Sequence, residues 1–203
     1  NSFHAAKEVA GYFTNDKGLV KKAYSKAVDE YRHSKISMPA INSEELNIAV
    51  IGHPYNLYDN CLNMNMLDKL KRMGANPITV EMIKEDAINL EASHFEKKPF
   101  WYFARKALGG TLYLMEEGQL DGIIYVMSYG CGVDSFVHDF LERRVRDFGN
   151  IPYILITLDE HSGEAGLNTR LEAFIDMIKW RKINGNNVST YGEHLYHGKS
   201  TFR

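Results

Sequence analysis

Apolar positions along the chain follow two patterns in turn, short unbroken runs and longer stretches in which they recur every third or fourth residue. The unbroken runs are residues 46–52 (LNIAVIG), 77–80, 123–127 (IIYVM) and 151–158 (IPYILITL). Such runs, with no polar face, predict strands covered on both sides, as in a parallel sheet. The longer spacing begins with Leu19/Val20, Ala23/Tyr24, Ala27/Val28 and Tyr31, which predicts an amphipathic helix over about 16–35. It returns at Leu62, Met66/Leu67, Leu70 and Met73, with Gly74 as the stop, and at Phe100, Phe103/Ala104, Ala107/Leu108 and Leu114. Two more helices are predicted through Val137, Phe140/Leu141, Val145 and Phe148, and through Leu171, Phe174/Ile175 and Ile178.

Four strands alternating with helices predict an α/β three-layer sandwich. Strand–helix–strand crossovers are right-handed in nearly all proteins, which makes the strands parallel. The expected architecture is a flavodoxin-like four-stranded parallel sheet of order 2-1-3-4. It occupies residues 46–182, after an N-terminal helical segment and linker (1–45) and before a polar, turn-rich C-terminal tail (183–203). Gly109-Gly110 would cost a helix interior about 2 kcal/mol, so a kink or close approach is expected there. Thr169 and Glu172 have capping-box spacing. Residues 81–98 are polar and weakly periodic, compatible with a helix or a loop.

The order 2-1-3-4 puts the switch point between the first and third strands, where ligands of open α/β sheets gather. It brings His53-Pro54-Tyr55 beside Gly130-Cys131-Gly132. Cys131, flanked by two glycines at a strand end and ahead of a helix, would have its thiolate favoured by backbone donors and the helix dipole. That suits a metal ligand or a nucleophile; the plain alternative is a small residue filling a tight turn. His53 and His161 both follow strands and could approach it. The run Asp159-Glu160-His161 could orient a ligand or bind a divalent ion, or simply cap the next helix and bond its own loop. Cys61, among Leu62 and Met64, reads as core. His194 and His197 have no cysteine near them and carry no chemistry by themselves.

Composition narrows the field. The 203 residues are 44% hydrophobic and 25% charged, ordinary for a globular chain, and the formal net charge of -2 gives no electrostatic footprint for nucleic acid. No apolar run approaches the roughly 20 residues of a membrane span, and no signal-peptide pattern is present, so a soluble, cytoplasmic protein is expected. In that setting two cysteines read as thiols or metal ligands rather than a disulfide. No glycine-rich dinucleotide fingerprint follows Ile51, and no phosphate loop ends in Lys-Ser/Thr. The first residue is not Met, which suggests part of a longer protein.

Three segments carry a resemblance: GHPYNLYDNCLNMNMLDKLKRMG (52–74), DGIIYVMSYGCGVDSF (121–136) and LDEHSGEAGLNTRLEAFIDMI (158–178). Together they resemble the 2-hydroxyacyl-CoA dehydratase/benzoyl-CoA reductase-like superfamily, in its activase-related branch, over roughly residues 46–179. The resemblance implies a flavodoxin-like domain paired with a second one, and a 4Fe–4S type iron–sulfur cluster held between them by strand-end cysteines. It implies low-potential electron transfer in the cytoplasm of an anaerobe, with an acyl-CoA substrate for the whole protein. By position, Cys131 would be one cluster ligand, with His53, Tyr55, Gly130, Gly132, Glu160 and His161 lining the cleft. Two cysteines do not make a full thiolate set, so a missing N-terminal domain or a partner subunit would supply the rest. The family's ATP-binding activator module is not in this sequence, so the chain by itself is expected to be inactive. A scaffold or interaction domain that keeps the fold without a cluster is the alternative expectation.

Overall fold

A sheet whose central strands are apolar on both faces must be covered twice. The computed structural model, which describes residues 2–33, 45–95, 99–149 and 151–184, shows how this chain does so. Its elements in chain order are α1 (Ser2–Ala10), α2 (Lys17–His33), β1 (Leu46–Gly52), α3 (Pro54–Tyr58), α4 (Met66–Arg72), β2 (Ala75–Thr79), a 3₁₀ turn (Val80–Met82), α5 (Glu85–Ala92), α6 (Tyr102–Glu116), β3 (Gly122–Ser128), α7 (Gly132–Phe148), β4 (Tyr153–Leu158) and α8 (Glu164–Asn184). The chain divides into two compact units, residues 1–37 and 38–203. In the first, α1 and α2 meet through the edge-on rings of Phe3 and Tyr24, and the Ser2 hydroxyl bonds that of Tyr24.

The second unit holds one four-stranded, all-parallel sheet of order β2-β1-β3-β4, as the hydrophobic runs predict. Successive side chains of a strand point to opposite faces, and the two cores follow that period. Ile48, Val50, Ile124, Val126 and Ile156 pack on one face with residues of α4 and α8, such as Leu70, Leu171 and Phe174. Ala49, Ile51, Ile123 and Tyr125 pack on the other with residues of α5, α6 and α7, such as Ile88, Leu108 and Leu141. The helices change face where the strand order changes direction, as a constant crossover hand requires. Pro77, which has no N–H to give, lies in the edge strand β2.

The glycine pair in α6 serves close approach. A Cβ on Gly110 would lie 2.7 Å from Cγ1 of Val80, and one on Gly109 would overlap the Ile88 carbonyl. The bare backbone lets α6 settle against α5 and the 3₁₀ turn without breaking the helix.

Some expectations are corrected. The helix expected through Leu62 and Met73 is shorter, α4 alone from Met66, because Met64 and Asn65 adopt left-handed backbone (φ 54° and 59°) that no helix can pass through; Leu62 lies in the turn between α3 and α4. Asp59 bonds the amides of Cys61 and Leu62 in the turn between them. Cys61 is therefore exposed rather than part of the core. Asn63 closes the turn from inside, donating to the carbonyls of Asn56 and Leu57. Residues 85–92 are a helix, and α1 forms where the N-terminal pattern was mixed. α8 begins at Glu164, so Thr169 lies inside it and bonds back to the Ala165 carbonyl instead of capping. Most of the expected linker (residues 37–44) and tail (185–203, with His194 and His197) lies outside the described residues.

Candidate metal site at the sheet switch point

β1 and β3 end side by side, with Gly52 paired to Val126. A Cβ on Gly52 would fall 2.5 Å from the Val126 carbonyl oxygen, so only glycine allows that approach. Directly beyond, Pro54 restricts His53 to extended backbone (φ -63°, ψ 143°) and opens α3 as its first residue. The His53 ring is then fixed by stacking, 3.5 Å between centroids with Phe103 of α6 and 5.0 Å with Tyr55. Tyr55 itself is half exposed beside it. The loops after β1 and β3 are joined by Ser128, whose hydroxyl donates to Asn56 Oδ1 at 3.0 Å.

After β3 the chain turns through Gly130, whose φ of +75° is left-handed backbone that favours glycine. Cys131 follows at the position just before α7, with no side-chain bond to the helix end. Cys131 is partly exposed, and open space lies where a Gly132 side chain would be. The Cys131 carbonyl accepts from both the amide and the hydroxyl of Ser135, which locks the first turn. Asp134, third in the helix, turns its carboxylate inward and is fully buried. Tyr125, on the middle of β3, donates to Asp134 Oδ1 at 2.9 Å, and Nε2 of His53 lies 3.6 Å from the same oxygen. Asp134 Oδ2 has no hydrogen-bond partner among the described residues. Burial, and then the neighbouring Asp134 carboxylate, push the Tyr125 phenol far above the usual tyrosine range, so it remains a donor.

The sulfur of Cys131, a ring nitrogen of His53 and a carboxylate oxygen of Asp134 all lie within 4.8 Å of one another. They are the only group of three such donors among the described residues. Of the residues singled out from the sequence, the structure thus brings together His53 and Cys131, with Tyr55, Gly130 and Gly132 around them. Glu160 and His161 are not in the donor group: both are exposed in the loop after β4 and lie 3.7 Å from each other. Asp159 ties that loop, accepting from the His161 amide and the Ser162 hydroxyl. Asp134 is the donor that sequence reasoning missed. Its signal was an acidic residue in the first turn after Gly-Cys-Gly, which also reads as ordinary helix-dipole complementation.

Comparison with known proteins adds lineage to this geometry. Residues 1–83 match a family described as the CoA enzyme activase uncharacterised domain. A segment of 66 residues, 32% of this chain, is 38% identical to "Putative dehydratase subunit YjiM" of Escherichia coli (strain K12). Both similarities, one to an activase domain and one to a dehydratase subunit, support the superfamily resemblance carried by the sequence. The matched segment spans only 17% of the length of YjiM. The family match takes in α1 and α2, ahead of the stretch on which the resemblance was read, and stops before Cys131. Among the described residues, no helix is long and apolar enough to cross a membrane.

Proposed function

We propose that this chain is the part of a dehydratase- or activase-related protein that presents a metal-binding thiolate, Cys131, as one ligand of an iron–sulfur cluster. The observation that carries this reading is the convergence of Cys131 with His53 and Asp134 at the switch point, where such folds bind ligands. The superfamily relationship supplies the chemical context. Soft thiolates suit iron–sulfur clusters, which would give such a protein low-potential electron transfer when bound.

The fit to a cluster is partial. Cys61 stands exposed in the turn between α3 and α4 and is not in the donor group, so this chain offers one thiolate there. The other corners require cysteines from a further domain of a longer protein or from a partner subunit. An acyl-CoA substrate belongs to that larger assembly. In this reading residues 46–182 are the working domain and residues 1–45 and 183–203 flank it, in the cytoplasm.

The test is Cys131→Ala in the complete protein, prepared without oxygen. Bound iron and acid-labile sulfide should fall together. Unchanged contents of both would end the cluster reading and favour a scaffold that keeps the fold.

A further inference from the structure

The donors at the switch point differ in kind: one thiolate, one imidazole and one carboxylate. We propose that His53, Cys131 and Asp134 together hold one divalent cation of the borderline class, zinc or ferrous iron, without sulfide and without a ligand from outside this chain. This rests on the reading of Cys131 as a metal ligand and assigns the other two donors; the single ion would occupy the site in place of a cluster, since one thiolate serves one of them at a time.

Asp134 carries the argument. A carboxylate with no exposure to water is costly unless it is paired, hydrogen-bonded or bound to a metal. Here the protein supplies one hydrogen bond, from Tyr125 to Oδ1, and leaves Oδ2 with none among the described residues. The ring nitrogen Nε2 of His53 stops at 3.6 Å from Oδ1. The acidic group is therefore held in place and incompletely satisfied, as a ligand awaiting its ion would be.

The surroundings agree. Each donor has independent support: the stack of Tyr55 and Phe103 orients His53, the bonds of Ser135 fix Cys131, and Tyr125 holds the carboxylate through Oδ1. Carboxylates that ligate a metal are themselves hydrogen-bonded by the surrounding protein, which is the usual outer support of such a site. With metal–ligand distances of about 2.0–2.3 Å, tetrahedral donors lie about 3.3–3.8 Å apart. The His53–Asp134 separation already meets that, and the 4.8 Å limit asks for a closure of about 1 Å.

The donor set selects the ion. Calcium and magnesium require oxygen ligands, whereas a sulfur–nitrogen–oxygen set suits zinc and ferrous iron. Three protein ligands leave the fourth position open, the arrangement of sites that bind water or a substrate. A Cys–His–Asp nucleophile relay fits less well. It needs the imidazole bonded to the carboxylate, and here Tyr125 holds the nearer oxygen while His53 stays beyond hydrogen-bond distance.

The experiment titrates the complete protein, stripped of metal and free of sulfide, with Co²⁺ and then Zn²⁺ in the absence of oxygen. A thiolate-to-cobalt charge-transfer band with strong tetrahedral ligand-field absorption is expected, displaced by Zn²⁺. It should vanish in Cys131→Ser and require at least about tenfold more cobalt in His53→Gln and in Asp134→Asn. Circular dichroism verifies that each variant is folded, and Asp134→Glu, which keeps the charge, should retain more affinity than the amide. A band lost only in Cys131→Ser would overturn the three-donor site while leaving the cluster reading intact. No thiolate band in wild type would also overturn it, and iron–sulfide reconstitution that depends on Cys131 would then show the cluster reading standing alone.

Discussion

Tyr125→Phe isolates the energetics of the buried carboxylate. The ring is fully buried in the core, and phenylalanine refills its volume, so the change removes only the hydroxyl that donates to Asp134. A hydrogen bond to a charged acceptor contributes about 1.5–3 kcal/mol, and its loss leaves Asp134 with neither oxygen hydrogen-bonded by the described residues. In a protein of this length each kcal/mol moves Tm by about 2–4 °C. Tyr125→Phe should therefore lower Tm by roughly 3–12 °C in chelator. Asp134→Asn should behave in the opposite sense: it keeps an acceptor for Tyr125 and removes a buried charge, which is often neutral or stabilising. The metal-free Asn variant should melt at or above wild type, and Tyr125→Phe should cost less in that background, by about 1 kcal/mol. Differential scanning calorimetry of the four proteins measures the cycle. If Tyr125→Phe melts with wild type, Asp134 is not the desolvated, underpaired anion described here, and the reasoning fails.

Two further outcomes test the fold and its electrostatics. Gly110→Ala should cost about 1–3 kcal/mol, because its methyl would meet Val80 at 2.7 Å; trimming Val80 to Ala in the same chain should recover part of the loss, measured by urea unfolding. Glu164 forms an ion pair with Lys69 at 2.7 Å, which holds its carboxyl below the usual glutamate range. A lowered native pKa contributes stability above the ordinary carboxylate range and loses it as pH falls through the native value. The Tm difference between wild type and Glu164→Gln should thus be steady near neutral pH and close below about pH 4; a difference that persists in acid would refute the pairing.

The strands were legible because burial on both faces leaves a clear trace, as in IIYVM and IAVI, and their order followed from the flavodoxin-like reading of the alternation. His53 and Cys131 were legible for the same reason, since each follows such a run and the order 2-1-3-4 brings their loops together. Asp134 was not, because an aspartate near a helix start has the same signature whether it faces water or turns inward. What decides is the Tyr125 hydroxyl nine positions earlier, and a strand tyrosine gives no notice of its bonding partner. Cys61 misled because Met64 and Asn65, ordinary residues in a helical pattern, adopt a backbone that pattern does not reveal. Glu160 and His161 belong to a strand-end loop as expected, but the loop bonds to itself and turns its side chains to solvent.

The neighbouring strand ends have a consequence for folding. His53 and Cys131 stand about 80 residues apart in the chain and meet only when β1 and β3 are paired. A ligand gripping both would act as a clasp on a long loop, and a cross-link over that span restricts the unfolded chain by on the order of 4–5 kcal/mol. Because the clasp closes only on the native seam, occupancy and seam integrity rise and fall together. In a hydrogen-exchange experiment, chelation would loosen the amides of β1 and β3 before those of β2, so the centre of the sheet would report the state of its own edge.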